Sequence, residues 1–232
     1  MLKSLLLTIL SISSCAAHPL LERQNANACH DYVLVSARGT YEPQGPSVGF
    51  QDAVNNTLRS IQNGIEYDVV YPAAEDQQGT DIGAKDVLNF IQQGNQACPQ
   101  QKYVLLGYSQ GATVCLMALK QLASQPAADT IDAIALIGNP YQQKDKCYTL
   151  DQNGGPSTRG RDGVLTSQDP TLGDLTVWDD KEKVLNVCYT GDLVCNGISN
   201  DTNFENHLQY GFSPPVQSLL SRFLAAKIKP AA

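Results

Sequence analysis

The sequence predicts an α/β fold, a three-layer sandwich in which a mostly parallel sheet of five strands lies between two layers of helices. Short apolar runs bounded by turn residues alternate with amphipathic stretches along the chain, as in repeated βαβ units. The runs are rich in Val, Ile and Leu, which is typical of strands that are covered on both faces. With 232 residues, 42% of them hydrophobic, the chain is long enough for one domain with a core and too short for two.

The first half of the chain supplies two strands and two helices. Residues 32–35 are an apolar run that predicts the first strand, and residues 48–61 predict the first helix. We expect the second strand at 67–71, where Pro72 ends the apolar run. Residues 81–91 then predict the second helix.

The second half continues this alternation around one long interruption. Residues 103–106 predict the third strand, and residues 112–122 have Leu and Met at helical spacing and predict a helix. The remaining expected elements are strands at 131–137 and 184–187 and a closing helix at 216–226. The interruption, 142–180, is rich in Gly, Asp, Ser and Thr, and such a long loop within a compact domain is usually functional or disordered.

Composition and charge exclude two classes of partner. The formal net charge is -7 and only 17% of the residues are charged, whereas a nucleic-acid partner requires clustered Lys and Arg. After the N-terminus no apolar run reaches the roughly 18 residues that a membrane-spanning helix needs. We therefore expect no nucleic acid and no membrane span, and we expect a monomer that needs no metal or cofactor.

The N-terminus has the pattern of a secretory signal peptide. Lys3 supplies a positive region, residues 5–12 supply an apolar core, and the small residues 14–17 predict cleavage after Ala17. Residues 18–28 are polar and form a candidate pro-segment or flexible N-terminus. The sequence therefore predicts a secreted, extracellular protein with a single domain at 29–232.

The cysteine count agrees with export. Removal of Cys15 with the signal leaves six cysteines, an even number that predicts disulfides in a secreted chain. Cys188 and Cys195 flank a short turn, and Cys29 with Cys98 would join the N-terminus to the body of the domain. The last two cysteines, Cys115 and Cys147, then form a third pair by elimination or remain as two buried free thiols.

Two N-glycosylation sequons fit the same secretory route. They begin at Asn55 and at Asn200, and each has Thr at its third position. We expect glycans at both asparagines if the sites are exposed.

A candidate nucleophile lies between the third predicted strand and the helix that follows. Residues 107–111 read Gly-Tyr-Ser-Gln-Gly, the G-x-S-x-G nucleophile elbow, in which a serine occupies a strained turn. The helix N-terminus behind Ser109 presents backbone N–H groups to a developing oxyanion. The motif and its context predict that Ser109 is the nucleophile of a hydrolase.

A serine hydroxyl needs a base, and the chain has three histidines. His18 lies at the expected cleavage point and His30 precedes the first strand, which leaves His207 after the last strand. The chain order Ser, Asp, His that is typical of this fold makes Asp192 the best candidate for the acid that orients the imidazole. Asp201 and Glu205 are alternatives, because both are closer to His207 in the sequence.

Four segments resemble motifs of the cutinase family and occur in the family's order. They are Ala-Arg-Gly-Thr at 37–40, Gly-Tyr-Ser-Gln-Gly-Ala at 107–112, Cys-Tyr-Thr-Gly-Asp-Leu-Val-Cys at 188–195 and His-Leu-Gln-Tyr-Gly at 207–211. The resemblance covers about 29–223 and implies a minimal, lidless α/β-hydrolase fold. It also implies disulfides between Cys29 and Cys98 and between Cys188 and Cys195.

The resemblance further implies the roles of the site residues. Ser109, Asp192 and His207 correspond to the catalytic triad. The oxyanion hole corresponds to Gln110, through its backbone N–H, and to Thr40, through its backbone and hydroxyl. Thr40 stands where many cutinases have Ser, which keeps the hydroxyl and adds a methyl group.

These residues predict a serine esterase that forms an acyl-enzyme, and the resemblance implies that its substrates are cutin-like polyesters and short to medium chain acyl esters. The segment 196–206 is mostly polar, whereas an acyl chain requires apolar lining, so long waxy chains are not expected to be strongly preferred. An acetylxylan esterase acting on acetylated polysaccharide is the alternative, since such enzymes resemble cutinases in the same motifs. A catalytically silent adhesin or elicitor on the same fold is a third hypothesis.

Overall fold

Six strands form one sheet in the computed structural model, which describes residues 29–197 and 204–228. The strands are β1 (Tyr32–Ala37), β2 (Gly64–Asp68), β3 (Lys102–Tyr108), β4 (Ile131–Ile137), β5 (Thr149–Leu150) and β6 (Val184–Val187). Their order across the sheet is β2-β1-β3-β4-β6-β5, and every neighbouring pair is parallel. The prediction of a parallel α/β sheet is confirmed, with one strand more than expected.

Helices cover both faces of this sheet. They are α1 (Gln51–Ser60), α2 (Thr80–Ala97), α3 (Gln110–Leu122), α4 (Thr176–Asp179), α5 (Leu193–Asn196) and α6 (Pro214–Lys227). The long helices α2 and α3 pack on one face, and α1 and α6 pack on the other, each layer around its own apolar cluster. The predicted three-layer arrangement is therefore confirmed.

Strand β3 shows why the central strands are apolar throughout. Tyr103 and Leu105 join the cluster under α2 and α3, whereas Val104 and Leu106 join the cluster under α1 and α6. All four side chains are fully buried, because successive residues of a strand point to opposite faces and both faces are covered here.

The expectation of a second strand at 67–71 is wrong, because β2 begins and ends three residues earlier. β2 lies at the edge of the sheet and is only half-buried, and its apolar residues Ile65 and Tyr67 face one side. The N–H of Val69 still donates to the carbonyl oxygen of Ser36 on β1 at 3.0 Å, but the apolar run then leaves the sheet, and the backbone N–H of Val70 donates to Oδ2 of Asp86 at 2.9 Å. An edge strand therefore shows alternation here rather than a continuous apolar run.

The long segment 142–180 contains little regular structure, as its composition predicts. It supplies β5, a strand of two residues beside β6, and the four-residue helix α4. Leu172, Leu175 and Trp178 of this segment are buried against the cluster under α2 and α3. The segment is therefore an ordered cover for that layer.

Two of the three expected disulfides are present. Cys29 bonds to Cys98 and Cys188 bonds to Cys195, as predicted. The third pair is wrong, since Cys115 and Cys147 are both free.

Position in the sheet explains why the third pair does not form. Cys115 is buried in α3, with its Sγ 3.5 Å from the carbonyl oxygen of Leu106 on β3, whereas Cys147 is exposed just before β5. β3 and β5 are three strand positions apart, about 14 Å at the usual strand spacing. Bridged cysteines have Cα atoms about 4.4 to 6.8 Å apart, so a separation of three strand positions is too large for a disulfide.

Several predictions fall on residues that the structure does not describe. They are the signal peptide, the candidate pro-segment, His18, Asn200 and Asp201. Asn55 is exposed on α1, while the hydroxyl of Thr57 in the same sequon is buried and donates to the carbonyl oxygen of Ala53 at 2.8 Å. Glycosylation stays a prediction. None of the helices in 29–197 and 204–228 has both the length and the apolar content of a transmembrane span.

Candidate active site

Ser109 lies on the sharp turn between β3 and α3. Its backbone has φ 54° and ψ -116°, a conformation that costs a non-glycine residue roughly 1 to 3 kcal/mol. The N–H of Ser109 donates to the carbonyl oxygen of Ile137 at 3.0 Å, so β4 holds the turn in place. The serine therefore stands at the carboxyl edge of the sheet, directly before the N-terminus of α3.

The two glycines of the elbow permit a close approach of backbone segments. A Cβ atom on Gly107 would lie 2.7 Å from Cα of Ala112, and one on Gly111 would lie 1.9 Å from the carbonyl oxygen of Ala37. Both distances are far below van der Waals contact. Side chains at these two positions would push α3 away from β1 and β3 and displace Ser109.

His207 lies beside Ser109 on a short 3-10 turn, Asn206–Leu208. Its Nε2 is 2.8 Å from Oγ of Ser109. Gly138 has φ 57°, and a Cβ at this position would lie 2.7 Å from Cε1 of His207, so the imidazole rests directly on the backbone after β4. The hydroxyl of Tyr108 donates to the carbonyl oxygen of His207 at 2.8 Å and so holds this turn in place.

Asp192 contacts the other nitrogen of the imidazole. Nδ1 of His207 is 2.9 Å from Oδ2 and 3.0 Å from Oδ1 of Asp192. The aspartate is fully buried and caps α5, where its Oδ1 accepts from the backbone N–H of Val194 at 2.8 Å. The disulfide between Cys188 and Cys195 closes the turn that carries it.

Tyr210 is a member of this site to which sequence reasoning gave no role, although the motif at 207–211 contains it. Its hydroxyl donates to Oδ2 of Asp192 at 2.6 Å and accepts from the backbone N–H of Tyr189 at 2.9 Å. Burial, followed by the charge of Asp192, raises the pKa of Tyr210 well above its ordinary value. The hydroxyl therefore stays protonated and remains a donor to the buried carboxylate.

Gln217 of α6 anchors the turn that carries Tyr210. The side-chain Nε2 donates to the carbonyl oxygens of Gly49 at 2.8 Å and Tyr210 at 2.9 Å, and Oε1 accepts from the N–H of Ala53 at 2.9 Å. One buried amide thus joins α6 to the start of α1 and to the segment after His207.

The two residues expected to form an oxyanion hole are held in place by the same loop, which contains Ala73 and Ala74. Gln110 is the first residue of α3, where backbone N–H groups have no partner within the helix. Its side-chain Nε2 donates to the carbonyl oxygen of Ala74 at 2.8 Å. The residue after Thr40, Tyr41, donates its N–H to the carbonyl oxygen of Ala73 at 2.9 Å.

A buried arginine organises the loop that carries Thr40. Arg38 donates through Nε to the carbonyl oxygen of Glu42 at 2.8 Å and through Nη2 to that of Tyr71 at 2.6 Å. The carboxylate of Glu42 accepts from the N–H groups of Gly39 and Val48. These contacts hold the backbone in place on both sides of Thr40.

The structure separates the other candidates from Ser109 or leaves them undescribed. His30 precedes β1 and so lies at the amino edge of the sheet, opposite Ser109. Glu205 is exposed, and the carboxylate described at Nδ1 of His207 is that of Asp192. Ser109, His207 and Asp192 thus form one chain of hydrogen bonds that can carry a proton from the serine to the imidazole.

The family model "Cutinase" matches residues 28–228 of this chain. Carboxylesterase Culp1 of Mycobacterium tuberculosis is 33% identical over 194 residues, which cover 82% of this chain and 79% of the relative.

Solved structures similar to this chain include a cutinase-like protein and an acetyl xylan esterase. A cutinase-like protein from Cryptococcus sp. is 35% identical, with a TM-score of 0.79, and the match covers 88% of this chain and 98% of that one. The catalytic core domain of acetyl xylan esterase from Trichoderma reesei shares the fold, with a TM-score of 0.66 at 19% identity over 86% of this chain and 100% of that one.

Proposed function

Because this chain belongs to the cutinase family and is a carboxylic ester hydrolase, we propose that it acts through an acyl-enzyme on Ser109. The observation that carries the proposal is the continuous contact from Oγ of Ser109 to Nε2 of His207 at 2.8 Å and from Nδ1 to Asp192 at 2.9 Å. This is the geometry that a nucleophile, its base and the orienting acid require.

In the proposed reaction His207 takes the proton of Ser109 while Oγ attacks the ester carbonyl. The tetrahedral intermediate collapses when the imidazolium gives this proton to the leaving alcohol, and the acyl group stays on Ser109. Water then attacks the acyl-enzyme with His207 as base, and the acid leaves. Asp192 stabilises the imidazolium in both halves and keeps the neutral imidazole in the tautomer that accepts from serine.

We propose that Thr40 and Gln110 stabilise the oxyanion of the intermediate. The backbone N–H of Gln110 lies at the N-terminus of α3, where the helix dipole favours negative charge. Thr40 adds its backbone N–H and its hydroxyl, and Nε2 of Gln77 lies 3.4 Å from that hydroxyl oxygen.

The proposed substrates are cutin-like polyesters and short to medium chain acyl esters, and the proposed setting is extracellular. Two disulfides support an oxidising compartment, in agreement with the predicted signal peptide at 1–17. We propose that the mature protein acts as a monomer and carries glycans at Asn55 and Asn200.

An acetylxylan esterase is the second candidate, favoured by the polar composition of the segment 196–206. Parallel rates on acetylated xylan, a cutin film and p-nitrophenyl esters distinguish the two. Activity on acetyl groups alone supports the second candidate.

Substitution of Ser109 tests the mechanism. We expect Ser109→Ala to lower kcat/KM on p-nitrophenyl butyrate by about 10⁴-fold or more. The matched control is Ser60→Ala at the exposed end of α1, which should keep the wild-type rate. In parallel, a fluorophosphonate probe should add to Ser109 in the wild type. A Ser109→Ala protein with near-normal rate, or a folded wild type that the probe does not label, would contradict the proposal.

A further inference from the structure

We propose that a cavity beside α3 is a non-catalytic binding site for a neutral carbohydrate, a short run of pyranose units. The cavity has a volume of about 630 Å³ and lies between α3, the start of α2 and the long loop after β4. This volume is within the range of about 300 to 1,000 Å³ that small-molecule sites occupy. Ser109, His207, Thr40 and Gln110 all lie outside its lining, so the inference does not depend on the proposed function of Ser109.

The cavity extends along α3 away from the nucleophile. Thr113, Met117 and Gln121 line it, and their spacing of four residues places them on one side of the helix. At 1.5 Å per residue they lie about 6, 12 and 18 Å along the helix axis from Ser109. A ligand held here is therefore beside the proposed ester-binding centre and not in it.

Two hydroxyl groups of the lining have no hydrogen-bond partner among the described residues. Tyr141 is 9% exposed, and its hydroxyl bonds to no group within 29–197 and 204–228. Thr113 is 5% exposed, and its Oγ1 is buried without a partner in the same two ranges. In contrast, Oγ1 of Thr57 on α1 donates to the carbonyl oxygen four residues earlier, as helical Thr often does. Buried polar groups without partners are rare in native structures, so these hydroxyls indicate a site that a hydrogen-bonding ligand completes.

The polar groups of the cavity match the hydroxyls of a sugar, each of which both donates and accepts. Burial, followed by the charge of Asp169, raises the pKa of Tyr141, so its hydroxyl stays protonated and can donate. Asp169 belongs to the same lining as Tyr141. The exposed side chains of Gln121 and Gln168 add amides, which supply donors and acceptors together.

The charged groups of the lining are already paired, which favours a neutral ligand. Nζ of Lys120 is 3.1 Å from Oδ2 of Asp169 and 2.8 Å from Oγ1 of Thr171. Oδ1 of Asp169 accepts from the N–H of Thr171 at 3.0 Å and from its hydroxyl at 2.7 Å. The carboxylate of Asp76 accepts from the N–H of Gln78 at 3.0 Å. An anion would therefore compete with Asp169 for Lys120 and would be repelled by Asp76.

Apolar side chains complete the lining and suit the C–H face of a sugar ring. Met117 and Leu165 are half-buried, and Leu172 is buried. A pyranose ring has C–H groups on its faces and hydroxyls at its rim, so a lining of this mixed kind matches it. An alkyl chain in the same place would take the hydroxyl of Tyr141 and the amides out of water without a hydrogen bond, which is unfavourable.

Binding of oligosaccharides that carry no ester tests the proposal. Xylotriose and cellotriose are titrated separately into isotope-labelled wild-type protein, and the amide shifts in NMR spectra give both the Kd and the location of binding. We expect at least one of them to bind, with shifts at 113–121 and 165–169 and little change at Ser109 and His207. Trigalacturonate, an acidic sugar of the same length, should bind at least about 10-fold more weakly, because Asp76 and the net charge of -7 repel it.

Two substitutions each remove one polar group of the cavity. Tyr141→Phe removes the hydroxyl and Gln121→Ala removes an amide, and each should raise Kd about 3- to 10-fold, the effect of one hydrogen bond. The matched controls are Tyr148→Phe, in the same segment after β4, and Gln93→Ala, at an exposed position of α2. Both controls lie outside the lining and should keep the wild-type Kd. Gln121 and Gln93 are exposed, so this pair tests the site even if Tyr141→Phe does not fold.

Three results would overturn the assignment of the cavity. They are no binding of either neutral sugar, shifts centred on Ser109 and His207, and a wild-type Kd in the folded cavity variants. Equally tight binding of trigalacturonate would overturn the neutral character of the ligand. Because these sugars carry no ester, their binding does not depend on hydrolysis. A wild type that binds them but hydrolyses no ester would contradict the proposed function alone.

Discussion

The hydroxyl of Tyr210 donates a hydrogen bond of 2.6 Å to Oδ2 of Asp192, the same oxygen that lies 2.9 Å from Nδ1 of His207. The carboxylate is fully buried, and a buried charge is stable only when hydrogen bonds replace its hydration. Tyr210, Val194 and His207 supply those bonds. In the proposed mechanism Tyr210 is therefore a positioning residue, which acts on the serine through Asp192 and His207.

We predict that Tyr210→Phe lowers kcat/KM on p-nitrophenyl butyrate about 10-fold, because a hydrogen bond to a charged group contributes about 1.5 to 3 kcal/mol. The carboxylate that loses this donor attracts the imidazole proton more strongly. The acid limb of the pH profile of kcat/KM should therefore move to higher pH.

The matched control for this variant is Tyr108→Phe. It removes another buried tyrosine hydroxyl beside the same histidine, but that hydroxyl donates to the backbone of His207 and not to Asp192. The control should leave the acid limb in place. Equal pH profiles for both variants would show that Tyr210 acts only on stability.

Gly111→Ala should destabilise the protein by at least about 3 kcal/mol, because the new Cβ would lie 1.9 Å from a backbone oxygen of Ala37. The control is Gly160→Ala, since a Cβ at this exposed position has no atom within 4 Å. Urea unfolding measures both. A Gly111→Ala protein of wild-type stability would contradict the close approach of α3 and β1.

We predict that removal of one disulfide lowers mainly the stability, and that removal of the other lowers both the stability and kcat. Cys29 and Cys98 are separated by 69 positions and Cys188 and Cys195 by 7. The entropy of loop closure then predicts losses of about 4 and about 2 kcal/mol when each pair is replaced by Ala. Only the second pair encloses Asp192, so its removal should also lower kcat, by about 10-fold or more. Urea unfolding and kcat of the folded protein separate these effects, and a larger loss of kcat from the first pair would contradict this view.

Glu66 should make stability depend on pH. Burial, followed by the charge of Asp68, raises the pKa of Glu66 from 4.5 to about 7. The folded state then holds a proton that the unfolded state has lost, so stability falls between about pH 4.5 and 7 and levels off above. The expected loss is about 3 kcal/mol. Urea unfolding across this range should show the slope in wild type and in the exposed-site control Glu182→Gln, but a flatter curve in Glu66→Gln. An unchanged slope in Glu66→Gln would contradict the assignment of this pH dependence to Glu66.

Local patterns were sufficient to predict much of the fold. The central strands are apolar on both faces, so β1, β3 and β4 stand out as continuous apolar runs. The position of Ser109 on a sharp turn follows from a motif placed between a strand and a helix. β2 was misplaced because an edge strand is half-buried and alternates. β5, with two residues, is too short to leave any periodic pattern.

Features that depend on distance in space were not predictable from spacing in the chain. Elimination joined Cys115 to Cys147, yet their distance is set by the order of strands, which places β5 beyond β6. The role of Tyr210 likewise depends on where the turn after β6 returns to the sheet.

The amide of Gln217 joins the supports of the imidazole to α1 and α6, whereas Ser109 stands at the N-terminus of α3, in the layer of α2 and α3. The sheet lies between these two layers. The serine and the imidazole are thus supported by helices on opposite faces of the sheet. A change that shifts either helix layer against the sheet should therefore alter the distance between Oγ of Ser109 and Nε2 of His207.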